Sequence, residues 1–204
     1  MPTVAQVRAK AKALAKGTPR EVKQRILTLA HDGQEQLAFE IARASKAAVL
    51  EMTPRDIESI LPVLHDWCST DCFASFLSGV AWREGVLTDA HILNWSASPN
   101  LWTRRAALVS TVPLNTKARG ATATKGEARR TLAICQRFID DREDMIVKAL
   151  SWALRELVAR DCDPVVRFLD IHGSRLAARV RREVNNVLTI GVKNKPRKNP
   201  KAAT

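Results

Sequence analysis

Short amphipathic segments, many with a proline-marked start, fill almost the whole chain and restrict it to a helical fold. Ala, Leu, Arg and Glu are abundant, and runs of β-branched residues are few. Four dipeptides place a capping side chain before a proline at the first helical position, namely Thr18-Pro19, Thr53-Pro54, Ser98-Pro99 and Asp163-Pro164. Ser174, which follows Gly173, is a further candidate cap for the last helix.

These signals predict helices with brief connections near residues 3–16, 19–31, 34–48, 54–65, 67–81, 88–95, 99–112, 124–140, 143–160, 164–170 and 174–189. Short paired helices favour a solenoid over a bundle of long helices. The internal repeat is faint, and its copies align only as amphipathic helices. We therefore predict an all-α, superhelical solenoid of short antiparallel helix pairs, of the HEAT-like or ARM type.

A chain of 204 residues is long enough for one domain, which we place at residues 1–190. Within it, the small and basic residues of 114–126 (LNTKARGATATKG) predict a flexible basic loop. Residues 191–204 contain too little apolar surface to fold alone, which predicts a disordered basic tail.

The charge balance is strongly basic, with 33 Lys and Arg against 21 Asp and Glu, a formal net charge of +12. Most of the excess lies in residues 1–25, 117–130, 175–183 and 193–204. Such a surplus predicts a polyanionic partner, because neutralising phosphates releases counterions. No signal-like apolar run and no membrane span is present, and the four cysteines suggest no disulfide framework. These absences predict a cytoplasmic location, with association with the bacterial nucleoid through DNA.

An acidic residue and several tryptophans carry the chemistry that the sequence suggests. Trp67 and Asp71 are one helical turn apart, so an indole and a carboxylate share a face. Trp102 and Trp152 each lie close to arginine or lysine. A carboxylate stabilises a developing sugar cation, indole faces hold a cationic base, and basic side chains hold phosphates. Together these groups predict chemistry on damaged DNA.

Across residues 30–185 the chain resembles the AlkD-type DNA alkylation repair glycosylases, a family of HEAT-like repeats. Three motifs carry the resemblance in order: W-x-x-x-D at Trp67 and Asp71, NWSASPNLWTRRAAL from Asn94, and KALSWALRE from Lys148. The resemblance implies that Asp71 is the catalytic aspartate and that Trp67 and Trp152 face the cationic lesion. It also implies that Arg105 is the active-site arginine. The chain departs from the family at Cys68, where an acidic residue is common.

The resemblance implies a monofunctional DNA glycosylase that removes N3- and N7-alkylated purines, such as 3-methyladenine and 7-methylguanine, from duplex DNA in base excision repair. Asp71 would stabilise the oxocarbenium ion and orient water. A monomer without metal or cofactor is expected. The base would be reached through the backbone and sugar rather than in a deep pocket. We expect the DNA backbone to contact Arg104, Arg105, Lys148, Arg155, Arg179 and Arg182.

Each of these residues also has an ordinary structural interpretation. Asp71 alone would suit a surface or capping role, Trp152 would suit the core, and the arginines would suit a solvated helix face. His65, Cys68 and Cys72 share a face, but zinc spacing is absent and we expect no metal. The alternative function is a non-catalytic HEAT-like protein that binds distorted or branched DNA, and a protein-binding adaptor is a third.

Overall fold

A computed structural model describes residues 3–116 and 125–194, and this part of the chain is all-helical with no strand. The all-α prediction is therefore confirmed. The helices are α1 (Val4–Leu14), α2 (Pro19–His31), α3 (Glu35–Ala44), α4 (Lys46–Leu50), α5 (Pro54–Glu58), α6 (Trp67–Phe73), α7 (Gly79–Arg83), α8 (Asp89–Ser96), α9 (Leu101–Val109), α10 (Val112–Asn115), α11 (Lys125–Gln136), α12 (Asp144–Arg160), α13 (Cys162–His172) and α14 (Ala178–Ile190). A 3₁₀ turn (Leu61–Val63) precedes α6, and a π turn (Ala74–Ser78) joins α6 to α7.

Two of the predicted helix starts are confirmed in detail. Thr18 caps α2 and Thr53 caps α5, and each helix has proline in its first turn. At both starts the threonine hydroxyl accepts from the third helical N–H. The acidic side chain three residues on accepts from the threonine N–H, so each start is a capping box.

Three other predicted caps are wrong. Asn100, not Ser98, caps α9, because its side-chain oxygen accepts from two first-turn N–H groups. Helix α13 begins at Cys162, so Asp163 lies within its first turn. Helix α14 begins at Ala178, four residues beyond Ser174, and its N-terminal cap position is Ala177.

Several predicted helices are shorter or broken. The helix predicted at 34–48 divides at Ser45, which ends α3 and caps α4. The helix predicted at 54–65 ends at Glu58 and continues as the 3₁₀ turn. The helix predicted at 99–112 ends at Val109, and α10 follows it.

The helices pack in two rows. In the first row α3 packs on α6, α6 on α9, α9 on α12 and α12 on α14. In the second row α2 packs on α4, α4 on α7, α7 on α10, α10 on α11 and α11 on α13. Contacts such as α2 with α3 and α11 with α12 join the rows, and the apolar core lies between them. A regular superhelical repeat stays a prediction.

The π turn after α6 lies where the rows approach closely. A Cβ atom on Gly79, which follows the turn, would lie 2.7 Å from the Ser110 carbonyl oxygen and from the Pro113 ring. Glycine is therefore required for this packing. Trp82 and Trp95 are buried in the core.

The predicted basic loop begins later than expected, because Leu114 and Asn115 are buried in α10. Residues 117–124, which hold most of that segment, and residues 195–204 of the predicted tail lie outside the described residues. Among the described residues, no helix is long and apolar enough to cross a membrane.

Candidate active site

The candidate site begins at the N-terminus of α6. Asp66 caps this helix, since its carboxylate accepts from the Ser69 N–H at 2.8 Å. Trp67 is the first helical residue and Asp71 follows one turn later. The cap stabilises the start of α6, the helix on which both side chains lie.

Asp71 forms a bidentate ion pair with Arg105 of α9. Arg105 Nε and Nη2 each donate to one carboxylate oxygen of Asp71 at 2.8 Å. Arg105 Nη1 also donates to the Met145 carbonyl at the start of α12. The guanidinium therefore ties together three neighbouring helices of the first row, α6, α9 and α12.

The two members of this pair differ in their access to solvent. The Arg105 side chain is 6% exposed, whereas the Asp71 side chain is 17% exposed. A carboxylate accepts about four hydrogen bonds, and Arg105 occupies two of those positions. Asp71 thus keeps acceptor capacity on its open side while its orientation is fixed.

The electrostatics of Asp71 follow from its position. Burial raises the pKa of Asp71, and the hydrogen bonds and charge of Arg105 act in the opposite direction without cancelling the effect. The nearby charge of Asp66 adds to the rise in pKa. The carboxylate is therefore less extensively solvated than a surface aspartate and is a stronger electrostatic partner for a nearby cation.

Trp67 is exposed over 56% of its surface, the most of any large aromatic side chain among the described residues. It thus differs from Trp82 and Trp95, which are buried. An indole at a helix start, one turn from a fixed carboxylate, is positioned to meet a partner from outside the chain.

Trp152 of α12 is half-buried and borders an open cavity of about 490 Å³. Its indole N–H donates to Glu156 at 3.0 Å. The cavity is also lined by Ser75 and Phe76 of the π turn. Ser75 follows Asp71 by four residues in the chain, and the cavity lining also includes residues of α7 and α10. No hydrogen bond joins Trp152 or Trp67 to Asp71 within the described residues.

Apart from Arg105, which pairs with Asp71, the predicted backbone-binding cations separate into two groups. Arg104 lies beside Arg105 but turns back to donate to the Ser98 and Pro99 carbonyls, holding the loop before α9. The other four side chains lie together where α12 meets α14. They are Lys148, Arg155, Arg179 and Arg182.

Two carboxylates near these residues were not anticipated from the sequence. Glu156 holds the Trp152 indole, and Glu183 is buried among the cations of α12 and α14. Their spacing from a tryptophan or arginine four residues away is common in any helix, so sequence gives little signal for them.

A second open cavity, of about 840 Å³, lies between α1, the start of α3 and the start of α6. Gln6, Gln34 and Gln36 line it together with Asp66 and Ser69. This space was also not anticipated. No group of three or more possible metal-ligating side chains occurs in residues 3–116 and 125–194.

The fold and the site define an all-helical protein with an oriented carboxylate and basic side chains along one row of helices. The family of DNA alkylation repair enzymes matches residues 3–185, and the chain belongs to that family. Membership supports the resemblance found in the sequence motifs and implies interaction with DNA. Searches of curated proteins and of solved structures each found no match.

Proposed function

We propose that this protein is a monofunctional DNA glycosylase that removes N3- and N7-alkylated purines from duplex DNA. The observation that carries the proposal is the orientation of Asp71 by Arg105, which leaves a partly open carboxylate beside the exposed Trp67. Family membership supplies the damage class, since alkylation of these purine nitrogens makes the base positively charged.

Cleavage of this glycosidic bond does not need a general acid, because the leaving base already carries a positive charge. In both 7-methylguanine and 3-methyladenine the glycosidic bond joins C1′ of the sugar to N9 of the purine. As this bond breaks, its electron pair moves to the base and neutralises the positive charge of the base. Positive charge then develops on the sugar, and the ionised Asp71 stabilises it electrostatically. A water oxygen bonds to C1′ and gives up its proton to Asp71 or to solvent. The products are a free base and an abasic site.

The tryptophans and basic side chains take supporting roles in this proposal. Trp67 and Trp152 present indole surfaces to the cationic base or adjacent sugar, where a cation–π contact contributes about 1–2 kcal/mol when desolvated. Arg105 acts through Asp71, because its side chain is 6% exposed and three of its N–H groups donate to the carboxylate and the Met145 carbonyl. This differs from a phosphate clamp, the role expected from sequence.

We further propose that the first row of helices is the concave face of a HEAT-like solenoid that grips the DNA backbone. The sequential packing of α3, α6, α9, α12 and α14 supports this arrangement. The Asp71 carboxylate is partly exposed, and the cavity beside Trp152 is open to solvent rather than enclosed, unlike a closed pocket for a flipped base. We therefore expect bulky adducts to be tolerated.

The direct test incubates the purified chain with methylated duplex DNA and identifies released bases by mass spectrometry. Release of 7-methylguanine or 3-methyladenine, with heat-labile abasic sites left in the DNA, is the expected result. Intact DNA despite tight binding would reject the glycosylase proposal in favour of a protein that binds distorted or branched DNA. A panel with a four-way junction would then measure that preference.

A further inference from the structure

A buried carboxylate organises the basic side chains where α12 meets α14. Glu183 is only 2% exposed, and it accepts from the Ser151 hydroxyl at 2.6 Å and from Arg179 Nε at 3.0 Å. Lys193 Nζ lies 3.5 Å from the same carboxylate and Arg182 Nη2 lies 4.0 Å from it. The Asn186 side chain donates to the Lys193 carbonyl and thereby holds the chain after α14 in place.

A second carboxylate extends this arrangement towards the start of α12. Asp144 accepts from Lys148 Nζ at 2.6 Å and from Arg179 Nη1 at 3.1 Å. Arg179 is thus held from two directions while its side chain stays 37% exposed. Arg155 joins the group from α12, because its Nε donates to the Ser151 hydroxyl at 3.3 Å.

The charges in this cluster do not balance. Five cations lie around three carboxylates, Glu183, Asp144 and Glu156, and the cations are Arg155, Arg179, Arg182, Lys148 and Lys193. Burial alone would raise the pKa of Glu183, but the hydrogen bonds from Ser151 and Arg179 and the charge of Lys193 lower it below its ordinary value. Glu183 is therefore ionised at neutral pH, and the cluster keeps a surplus of positive charge.

Stability gives a poor explanation for this arrangement. A buried ion pair seldom stabilises a fold more than apolar side chains of similar volume would, since desolvation opposes the attraction. A buried carboxylate that fixes the direction of several partly exposed cations does suit the binding of an anion. Cations whose directions are already fixed lose less conformational freedom when the anion arrives.

The position of the cluster relative to Asp71 follows from α12. The Met145 carbonyl contacts Arg105 at one end of the site, and Ser151 lies six residues further along the helix. Six residues correspond to roughly 9 Å along the axis of α12, so the cluster lies further along the same helix than the Arg105 contact.

We propose that Glu183 is a positioning residue for a phosphate-binding site on α12 and α14, which holds the DNA backbone at a point away from the damaged nucleotide. The inference rests on the proposed function for its location relative to the lesion. The anion-binding site itself depends only on the cluster. Ser151 and Asp144 share the positioning role, and the cations contact the phosphate.

The Glu183→Gln variant provides a test in which two explanations predict opposite changes in DNA affinity. The substitution keeps the volume of the side chain but removes one negative charge. If Glu183 only repels DNA, the variant binds more tightly. If Glu183 positions the cations, undamaged duplex binds about tenfold more weakly, as expected for losing one charge-assisted contact. The slope of log K against log salt then falls by about one.

The measurement is fluorescence anisotropy with an undamaged duplex at several salt concentrations, with thermal unfolding to show that each variant is folded. The exposed Glu51→Gln is the matched control, which carries the same charge change and should bind as tightly as the wild type or slightly more tightly. Equal or tighter binding by Glu183→Gln would overturn the proposal. Because undamaged DNA is used, the result does not depend on whether the protein excises bases.

Arg179 supplies a second test should Glu183→Gln fail to fold. Arg179→Gln should weaken binding by about tenfold, whereas the exposed Arg167→Gln on α13, an equal loss of charge, should weaken it much less. Equal losses for both variants would overturn the proposal, because net charge alone would then account for binding.

Discussion

Asp71 and Arg105 are each ordered by the other, so removing one member leaves the second in an unfavourable environment. Asp71 is mostly buried, and the two hydrogen bonds that it accepts within residues 3–116 and 125–194 both come from Arg105. Without the guanidinium, ionised Asp71 would lie in a site of low polarity with no partner. The pair therefore couples stability to the protonation state of Asp71.

The Arg105→Met variant tests that coupling. We expect the free energy of unfolding to fall by about 3 kcal/mol at pH 7, because an unpaired buried charge remains. The pKa of Asp71, already raised, rises further when Arg105 is absent. The stability of the variant therefore decreases as pH rises from the pKa of Asp71 in the unfolded chain to its higher pKa in the folded variant. The deficit relative to wild type shrinks at acid pH, where Asp71 is protonated.

Urea unfolding at pH 4 and pH 7 measures this effect. The neighbouring Arg104→Met is the control, because Arg104 bonds two loop carbonyls and lies a full 4.0 Å from its one carboxylate partner, Asp141, among the described residues; this variant should lose about 1 kcal/mol at both pH values. A deficit for Arg105→Met that is the same at both pH values would contradict the coupling.

The pH dependence of excision gives a kinetic prediction at the same residue. Because the pKa of Asp71 is raised, Asp71 becomes protonated at a higher pH than an ordinary aspartate does when the pH is lowered. The single-turnover rate should decrease together with the ionised fraction. Arg105→Lys keeps the positive charge but loses the bidentate hydrogen bonds, so its acid limb should move to higher pH. An unchanged limb, or one moved to lower pH, would show that Asp71 ionisation does not control the rate.

The sequence identified individual residues better than their partners. Trp67 and Asp71 were predicted to share a face because four residues make one turn, and that local relation needs no tertiary information. Arg105 is 34 positions from Asp71, and only the packing of α6 against α9 shows that it contacts Asp71 rather than solvent or phosphate. Glu183 was missed for the same reason, since Ser151 is 32 positions away.

At the scale of helices, predictions succeeded where the start signal was complete. Thr18 and Thr53 each combine a capping hydroxyl, a proline and an acidic residue three positions on, so the local signal leaves few alternatives. Ser98 lacks that acidic residue and competes with Asn100, whose side chain reaches two N–H groups. The break at Ser45 depends on packing between the two rows, which spacing alone does not show.

Substitutions at two of these positions should separate a true cap from a false one. Thr18→Ala should lower the free energy of unfolding by about 1 kcal/mol, because α2 loses its side-chain cap. Ser174→Ala should change it by less than about 0.5 kcal/mol, because α14 begins at Ala178. Chemical denaturation of both variants measures the difference, and equal losses would contradict the helix boundaries.

At the scale of the whole molecule, the positive charge should control DNA affinity more than chemistry. Residues 195–204 contain four basic and no acidic residues. Deleting them should weaken binding and lower the slope of log K against log salt by up to about 3 or 4. The rate at saturating protein should stay near that of the wild type, because residues 67–71 and 105 are unchanged.

Anisotropy at several salt concentrations, combined with single-turnover excision, measures these two effects separately. The matched variant keeps the full length and replaces the four basic residues by glutamine. If the deletion leaves the salt slope unaltered, residues 195–204 do not contribute to DNA binding, which would contradict this prediction.

The central claim is that ionised Asp71 accelerates base release without being needed for binding. Its most direct test compares single-turnover excision of 7-methylguanine by the wild type, by Asp71→Asn and by Asp170→Asn, an exposed carboxylate on α13, at saturating protein and pH 7. We predict a decrease of about 10² to 10³ in the excision rate for Asp71→Asn, which should be less stable than the wild type but still folded and able to bind DNA, and no change for Asp170→Asn. Equal excision by Asp71→Asn and the wild type would contradict the claim.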